Sequence, residues 1–149
     1  MLTLMRHGEA GWDAPTDESR VLTAHGIAFI QHVVAENAAL FGGVKRILVS
    51  PYLRTQQTVN TILAELAHQP EVITDDRWTP ESDISSAIAS LEAHWCEGLL
   101  VVTHQPLVGN LVSYLLEGDK LHPEPLLPAH FATLTMEWPA AALAQRVSI

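Results

Sequence analysis

Four side chains in this sequence are of the types that bind and transfer phosphate, and each comes at or shortly after the end of an apolar segment. Arg6 and His7 end the first such segment, Arg54 comes shortly after the second, and His104 directly follows a third. An arginine guanidinium matches phosphate oxygens as a two-pronged donor and stays charged at all relevant pH values. A histidine can present a neutral, nucleophilic ring nitrogen. Together these residue types predict a site that binds a phosphoryl group.

The two histidines need different roles in such a site. His7 is the better candidate nucleophile, because a backbone carbonyl can fix its far ring nitrogen and because Gly8 lets the backbone approach closely. Arg6 and Arg54 are expected to hold the phosphoryl group and to neutralise charge that develops on its oxygens. His104, if protonated, would add a fourth positive contact.

The elements that must position these residues follow an α/β pattern. Apolar runs of a few residues alternate with longer stretches of helical period, which predicts a largely parallel sheet covered by helices. The expected strands span residues 2–6, 46–49, 71–73, 99–103 and 131–136. Because ligands bind beyond the carboxyl ends of parallel strands, the candidate side chains are expected to converge at one sheet edge.

Capping residues mark the first two predicted helices. Thr23 is the expected N-cap of a helix that carries Ile27, Ile30, Val34 and Leu40 or Phe41 and is stopped by Gly42 and Gly43. Ser50 is the expected N-cap of the second helix, with Pro51 at its first position.

Two more helices follow in the C-terminal half. The first is expected over residues 84–95, and the second starts at Pro106 and closes at Gly118. The tail after Trp138 fits either a final helix or an edge strand.

Composition limits the possible partners. The 149 residues, 48% of them hydrophobic, predict a single domain over residues 1–149. A net charge of -9 with eight lysines and arginines argues against binding to nucleic acid or an anionic membrane, so any anion site must be local. A single cysteine, Cys96, and the lack of a leader or spanning segment favour the cytoplasm.

No metal or other cofactor is expected. His25 and His32 share a face of the first predicted helix, but they lack a third ligand at a typical metal-site spacing. The other histidines outside the candidate site are scattered. The exposed-surface interpretation is therefore preferred for all of them.

Four segments, in the same order along the chain, carry a family resemblance. They are residues 4–9 (LMRHGE), 20–26 (RVLTAHG), 49–58 (VSPYLRTQQT) and 101–109 (VVTHQPLVG). These segments resemble the histidine phosphatase (phosphoglycerate mutase-like) superfamily, and within it the compact SixA-type phosphohistidine phosphatases. The resemblance covers most of the chain.

The resemblance implies a three-layer α/β/α sandwich and assigns residue roles. It makes His7 the phosphorylated nucleophile, and it makes Arg6, Arg54 and His104 the residues that bind the phosphoryl group. It also implies that Arg20 helps to line the pocket. For Arg20 a solvated loop arginine is the alternative interpretation.

The need for a general acid separates the possible substrates. Larger relatives carry an acidic residue after the third strand to protonate an alkoxide leaving group, and Glu81 or Asp83 would match it here, although Asp83 also suits a helix cap. A phosphoramidate leaves as imidazole, a far weaker base, so a phosphohistidine substrate needs no dedicated acid.

The expected function is thus a metal-independent phosphatase, a hydrolase acting in signal transduction on a phosphohistidine-bearing protein such as a phosphotransfer domain. Inorganic phosphate is the product. One alternative is a small-molecule phosphomonoesterase with Glu81 as general acid. Another is a non-catalytic module that binds phosphorylated partners.

Overall fold

Six strands form one mixed sheet in the computed structural model, which describes residues 1–148. The strands are β1 (Leu2–Arg6), β2 (Arg46–Val49), β3 (Glu71–Thr74), β4 (Leu99–Thr103), β5 (Phe131–Thr135) and β6 (Gln145–Arg146). The strand order is β3-β2-β4-β1-β5-β6, and the first four strands are parallel to one another. Strand β5 pairs antiparallel with β1, and β6 pairs antiparallel with β5. The largely parallel sheet is confirmed, and the chain's tail forms an edge strand rather than a helix.

Five α-helices cover the two faces of the sheet. They are α1 (Ala24–Glu36), α2 (Ala38–Gly42), α3 (Leu53–Glu65), α4 (Ile84–His94) and α5 (Leu107–Glu117). Alternate residues of β4 enter opposite cores: Leu99 and Val101 pack with α4 and α5, and Leu100 and Val102 pack with α1, α2 and α3. The expected three-layer α/β/α sandwich is therefore confirmed. No helix within residues 1–148 is long and apolar enough to span a membrane.

The first predicted helix is in fact two helices. Asn37 separates α1 from α2, and its side-chain Nδ2 donates to the carbonyl of Val33 at 2.8 Å. An asparagine amide competes in this way with the helical backbone pattern. Of the apolar residues expected along this stretch, Ile30, Val34 and Phe41 are buried, whereas Ile27 is 38% exposed.

Two of the predicted helix caps are confirmed. The Thr23 hydroxyl accepts a 2.9 Å hydrogen bond from the Gly26 backbone and caps α1. Gly118 closes α5 with a left-handed backbone, φ 90°. Pro106 precedes the helix as its N-cap residue instead of starting it.

The expected cap at Ser50 is wrong. Helix α3 begins at Leu53, and its N-cap position is held by Tyr52, which makes no side-chain capping bond. The fully buried Ser50 hydroxyl instead contacts the ring of His104, at 2.7 Å from Nε2. A contact with a distant residue has replaced the local cap.

Candidate active site

Three neighbouring strands deliver the candidate residues to one edge of the sheet. β4 lies between β1 and β2, so His7, His104 and the first turn of α3 with Arg54 emerge side by side. The rings of His7 and His104 lie 5.2 Å apart, and Arg54 contacts His7 directly. The structure thus places together the four residues that the sequence nominated, Arg6 included.

The ring of His7 is held in one orientation. It is 6% exposed, and its Nδ1 lies 2.7 Å from the carbonyl of Gly8, which can only accept, so Nδ1 carries the proton. Nε2 therefore carries the lone pair, which accepts a hydrogen bond from Arg54. Burial, followed by the charges of Arg54 and Arg6, lowers the pKa of His7 to about 4, although the Gly8 carbonyl opposes this. At neutral pH the ring is therefore uncharged.

Gly8 packs closely against the side chain of Ile30. A Cβ atom at this position would lie 2.6 Å from Cδ1 of Ile30. The Gly8 backbone N–H donates to the hydroxyl of Thr58, which in turn donates to the backbone carbonyl of Arg54. The segment that carries His7 is thereby tied to the helix that carries Arg54.

Arg54 is the central cation of the site. Its side chain is 4% exposed, and its Nε donates to Nε2 of His7 at 3.2 Å. Its other two nitrogens contact Asp17, Nη1 on the backbone carbonyl at 2.7 Å and Nη2 on the carboxylate at 3.2 Å. A guanidinium in this position can stabilise charge on a phosphoryl group attached to His7.

Two buried nitrogens of the site have no hydrogen-bond partner among residues 1–148. They are Nε of Arg6 and Nδ1 of His104. Arg6 makes one bond, from Nη1 to the carbonyl of Leu126 at 3.1 Å. Burial and then the charges of Arg54 and Arg20 lower the pKa of Arg6. Unpaired buried donors are costly, and an oxyanion bound here would satisfy them.

His104 is neutral in this arrangement. Burial, followed by the neighbouring His7 and Arg54, lowers the pKa of His104 to about 2. Ser50 Oγ accepts from the Tyr52 backbone N–H at 3.3 Å and forms a second hydrogen bond with Nε2 of His104 at 2.7 Å. In the tautomer whose Nε2 accepts from this hydroxyl, Nδ1 carries the hydrogen and can donate it to a phosphoryl oxygen. A protonated His104 would need an anion in the site, because an adjacent negative charge raises a histidine pKa.

Arg20 belongs to the loop that borders the site. Its Nε donates to the carbonyl of Gly11 at 2.9 Å, its Nη1 contacts the carboxylate of Asp17 at 3.2 Å, and its guanidinium lies 3.5 Å over the ring of Trp12. The side chain is only 12% exposed. These contacts exclude a freely solvated arginine and place the charge beside Arg54, joined to it through Asp17.

The two acid candidates have different surroundings. Glu81 is exposed and accepts a 3.4 Å hydrogen bond from the hydroxyl of Tyr52, whose ring lies 5.0 Å from that of His104. Asp83 accepts from the backbone N–H of Ser86 at 2.8 Å and is the N-cap of α4. The structure therefore connects Glu81 to the site and gives Asp83 a capping role.

Sequence reasoning missed Asp17 and Tyr52. Asp17 reaches Arg54 across 37 positions of sequence, and Tyr52 was quoted only as part of a motif. One signal was available for Asp17, which precedes Arg20 by three positions and so has the spacing of a local ion pair. Within residues 1–148, no three His, Cys, Asp or Glu side chains are grouped as metal ligands.

This fold and this cluster of basic and imidazole side chains define a phosphate-transferring protein of the histidine type, and comparison with known families agrees. The family model of the histidine phosphatase superfamily (branch 1) matches residues 2–80. The chain belongs to this superfamily.

Two similar proteins carry a more specific name. Phosphohistidine phosphatase SixA of Escherichia coli is 36% identical over 121 residues, which cover 78% of this chain and 74% of the relative. A SixA homolog of Haemophilus influenzae is 36% identical over 146 residues, with 88% and 85% covered. A solved structure of the protein histidine phosphatase SixA complexed with tungstate has a TM-score of 0.83 at 27% identity, covering 99% of this chain and 94% of that one.

Proposed function

We propose that this chain is a phosphohistidine phosphatase, which removes the phosphoryl group from a histidine of another protein by way of His7. The observation that carries the proposal is the neutral, oriented Nε2 of His7 beside the buried Arg54 guanidinium, 3.2 Å away. The similarity to proteins named phosphohistidine phosphatase supports the substrate class. The similar solved structure is a complex with tungstate, a phosphate-like oxyanion, which supports oxyanion binding by this fold.

The proposed reaction has two steps. In the first, the Nε2 lone pair of His7 attacks phosphorus, the phosphorus–nitrogen bond of the substrate breaks, and the released imidazole takes a proton from solvent. In the second, water attacks phosphorus, the bond to Nε2 breaks with its electron pair returning to Nε2, and inorganic phosphate leaves with the oxygen of the water while one water proton passes to solvent. Arg6, Arg54 and the Nδ1 hydrogen of His104 bind the phosphoryl oxygens in both steps.

Access to the site favours a substrate carried on a protein. Between β3 and β4 the chain forms only a 3₁₀ helix, Asp76–Trp78, and the single helix α4. This stretch contains no inserted subdomain that would cover the pocket. A histidine on the surface of a partner protein would therefore meet no inserted subdomain from this stretch on its way to His7. We place the reaction in the cytoplasm, in keeping with the single free thiol of Cys96.

A second candidate function rests on Glu81. Its hydrogen bond with Tyr52 holds a carboxyl group near His104, where it could protonate the leaving oxygen of a phosphate ester. A small-molecule phosphomonoesterase is the runner-up for this reason. A non-catalytic phosphate-binding module is less favoured, because it would need no nucleophile oriented as His7 is.

The decisive experiment compares substrates and tests for a covalent intermediate. We expect wild-type protein to dephosphorylate a phosphohistidine carrier domain faster than it hydrolyses any of a panel of phosphate esters. We also expect the protein to retain the phosphoryl group of the substrate when the reaction is quenched without acid. His7→Ala should lose both turnover and labelling. His25→Ala, which removes a side chain on α1 that is 78% exposed, is the matched control and should keep both. Normal turnover by His7→Ala would overturn the mechanism, and faster cleavage of esters would favour the runner-up.

A further inference from the structure

The carboxylate of Asp17 bridges two arginines at the mouth of the site. Oδ1 accepts from Nη1 of Arg20 and Oδ2 accepts from Nη2 of Arg54, each at 3.2 Å. The Asp17 side chain is 52% exposed, whereas that of Arg54 is 4% exposed. The solvent-accessible carboxylate of Asp17 thus contacts the buried guanidinium of Arg54. Partial burial opposes ionisation, but hydrogen bonds and charges from both arginines outweigh it and lower the pKa of Asp17.

The position of this carboxylate on Arg54 is the one that a phosphoryl group would use. Nε and Nη2 form one edge of the planar guanidinium, the edge that binds two oxygens of an anion side by side. In the structure Nε contacts Nε2 of His7 and Nη2 contacts Asp17. A phosphoryl group attached to Nε2 would lie along the same edge, next to or in place of the carboxylate.

We propose that Asp17 is an internal counter-anion that competes with phosphate for Arg54 and Arg20, so that it weakens phosphate binding and helps the product to leave. The inference rests on the proposed function, since it concerns the product of that reaction. Opposite charges in a partly buried site attract strongly, and like charges repel to the same extent. A negative charge that shares the arginines therefore lowers their affinity for a second anion.

A purely structural role for Asp17 makes the opposite prediction. If the carboxylate only holds Arg54 in position, its loss should weaken phosphate binding. Asp17→Asn separates the two roles, because the amide keeps an oxygen that can accept hydrogen bonds from the arginines but removes the charge. The neighbouring Glu18 provides the matched control: Glu18→Gln removes the same charge from the same loop, and the Glu18 side chain contacts neither arginine within the described structure.

The experiment measures the dissociation constant of inorganic phosphate by calorimetry. It also measures the inhibition constant of phosphate as a competitive inhibitor of turnover. We expect Asp17→Asn to bind phosphate at least ~5-fold more tightly than wild type, with a lower kcat if product release limits turnover. Glu18→Gln should stay within about twofold, since exposed charges at a distance are screened. Asp17→Glu, which keeps the charge, should behave like wild type and shows that the position tolerates substitution.

The outcomes separate this inference from the proposed function. Unchanged or weaker phosphate binding by Asp17→Asn, in protein with the wild-type circular dichroism spectrum, would overturn the counter-anion role while leaving phosphatase activity in place. If the wild type neither binds phosphate nor turns over a phosphohistidine carrier, the proposed function itself fails.

Discussion

Nε of Arg54 donates a 3.2 Å hydrogen bond to Nε2 of His7, the ring nitrogen that has no proton of its own. The guanidinium therefore marks the direction in which the lone pair points. A phosphoryl group that attaches to Nε2 must take the place of this hydrogen bond and receive the Nε donor on one of its oxygens. The same arginine would thus orient the nucleophile before the reaction and stabilise the phosphoryl group during it.

This relationship predicts the effect of Arg54→Lys. A lysine keeps the charge but loses the planar fork and the bond to His7, so kcat/KM should fall by roughly 100-fold or more, as for the loss of a preorganised donor to the reacting group. Arg46→Lys is the control, because Arg46 pairs with Glu71 away from the site and should leave activity near wild type. A loss smaller than about threefold in Arg54→Lys would contradict the role given to the fork.

The buried neutral histidines predict a loss of stability in mild acid. Burial lowers the pKa of His7 from the ordinary value of 6.5 to about 4, so the unfolded chain takes up this proton first as the pH falls. The stability contributed by the neutral ring is complete above pH 6.5 and is lost between there and about pH 4, an effect of roughly 3 kcal/mol for His7.

Urea unfolding at a series of pH values tests this prediction. His7→Gln should lose less unfolding free energy than wild type between pH 6.5 and about 4.5, since it has no proton to take up. His25→Gln, altered at an exposed position, should keep the wild-type slope. Equal slopes for wild type and His7→Gln would mean that His7 is not held neutral.

Close packing at Gly26 predicts that an added side chain there would displace the segment beside His7. A Cβ atom there would lie 2.4 Å from the backbone carbonyl of Glu9, so Gly26→Ala must displace that segment. We expect destabilisation of about 1–3 kcal/mol and reduced activity. Gly42→Ala, in a helix position with nothing within 4 Å of the added atom, should be neutral or slightly stabilising. Thermal unfolding and turnover of the two variants give the comparison.

The pair Glu81 and Asp83 allows a test of general-acid catalysis. If the protein acts mainly on phosphohistidine, Glu81→Gln should change turnover of a phosphohistidine carrier by less than about threefold, because imidazole leaves without a dedicated acid. Any activity on phosphate esters should fall much further. Asp83→Asn, whose amide oxygen can still accept the capping bond of α4, should leave both activities and the thermal stability near wild type. A large effect of Glu81→Gln on the phosphohistidine substrate would show that an acid is required after all.

The convergence of His7, Arg54 and His104 was predictable because strand ends follow from local apolar patterns, and parallel strands end at the same edge. The caps at Thr23 and Gly118 were predictable for a similar reason, since they depend on neighbours within a turn or so. These features are encoded over short stretches of sequence.

The wrong or missing features depend on contacts between distant parts of the chain. Ser50 has the right chemistry for a cap, but its hydroxyl contacts His104, 54 positions away. Asp17 lies in a polar loop without periodicity, and its meeting with Arg54 follows from how that loop folds back over α3. A local pattern does not contain the information for either contact.

The order β2-β4-β1 also has a consequence for hydrogen exchange. Each of the three strands that lead into the site has a hydrogen-bonded neighbour on both sides. Amides in such central strands exchange with solvent only when the protein opens extensively. His7 and His104 are thus attached to the part of the molecule that should open last, whereas the polar loop that carries Asp17 lies outside the sheet and should exchange early. Under the proposed function, a local movement of that loop would leave the ring of His7 in place.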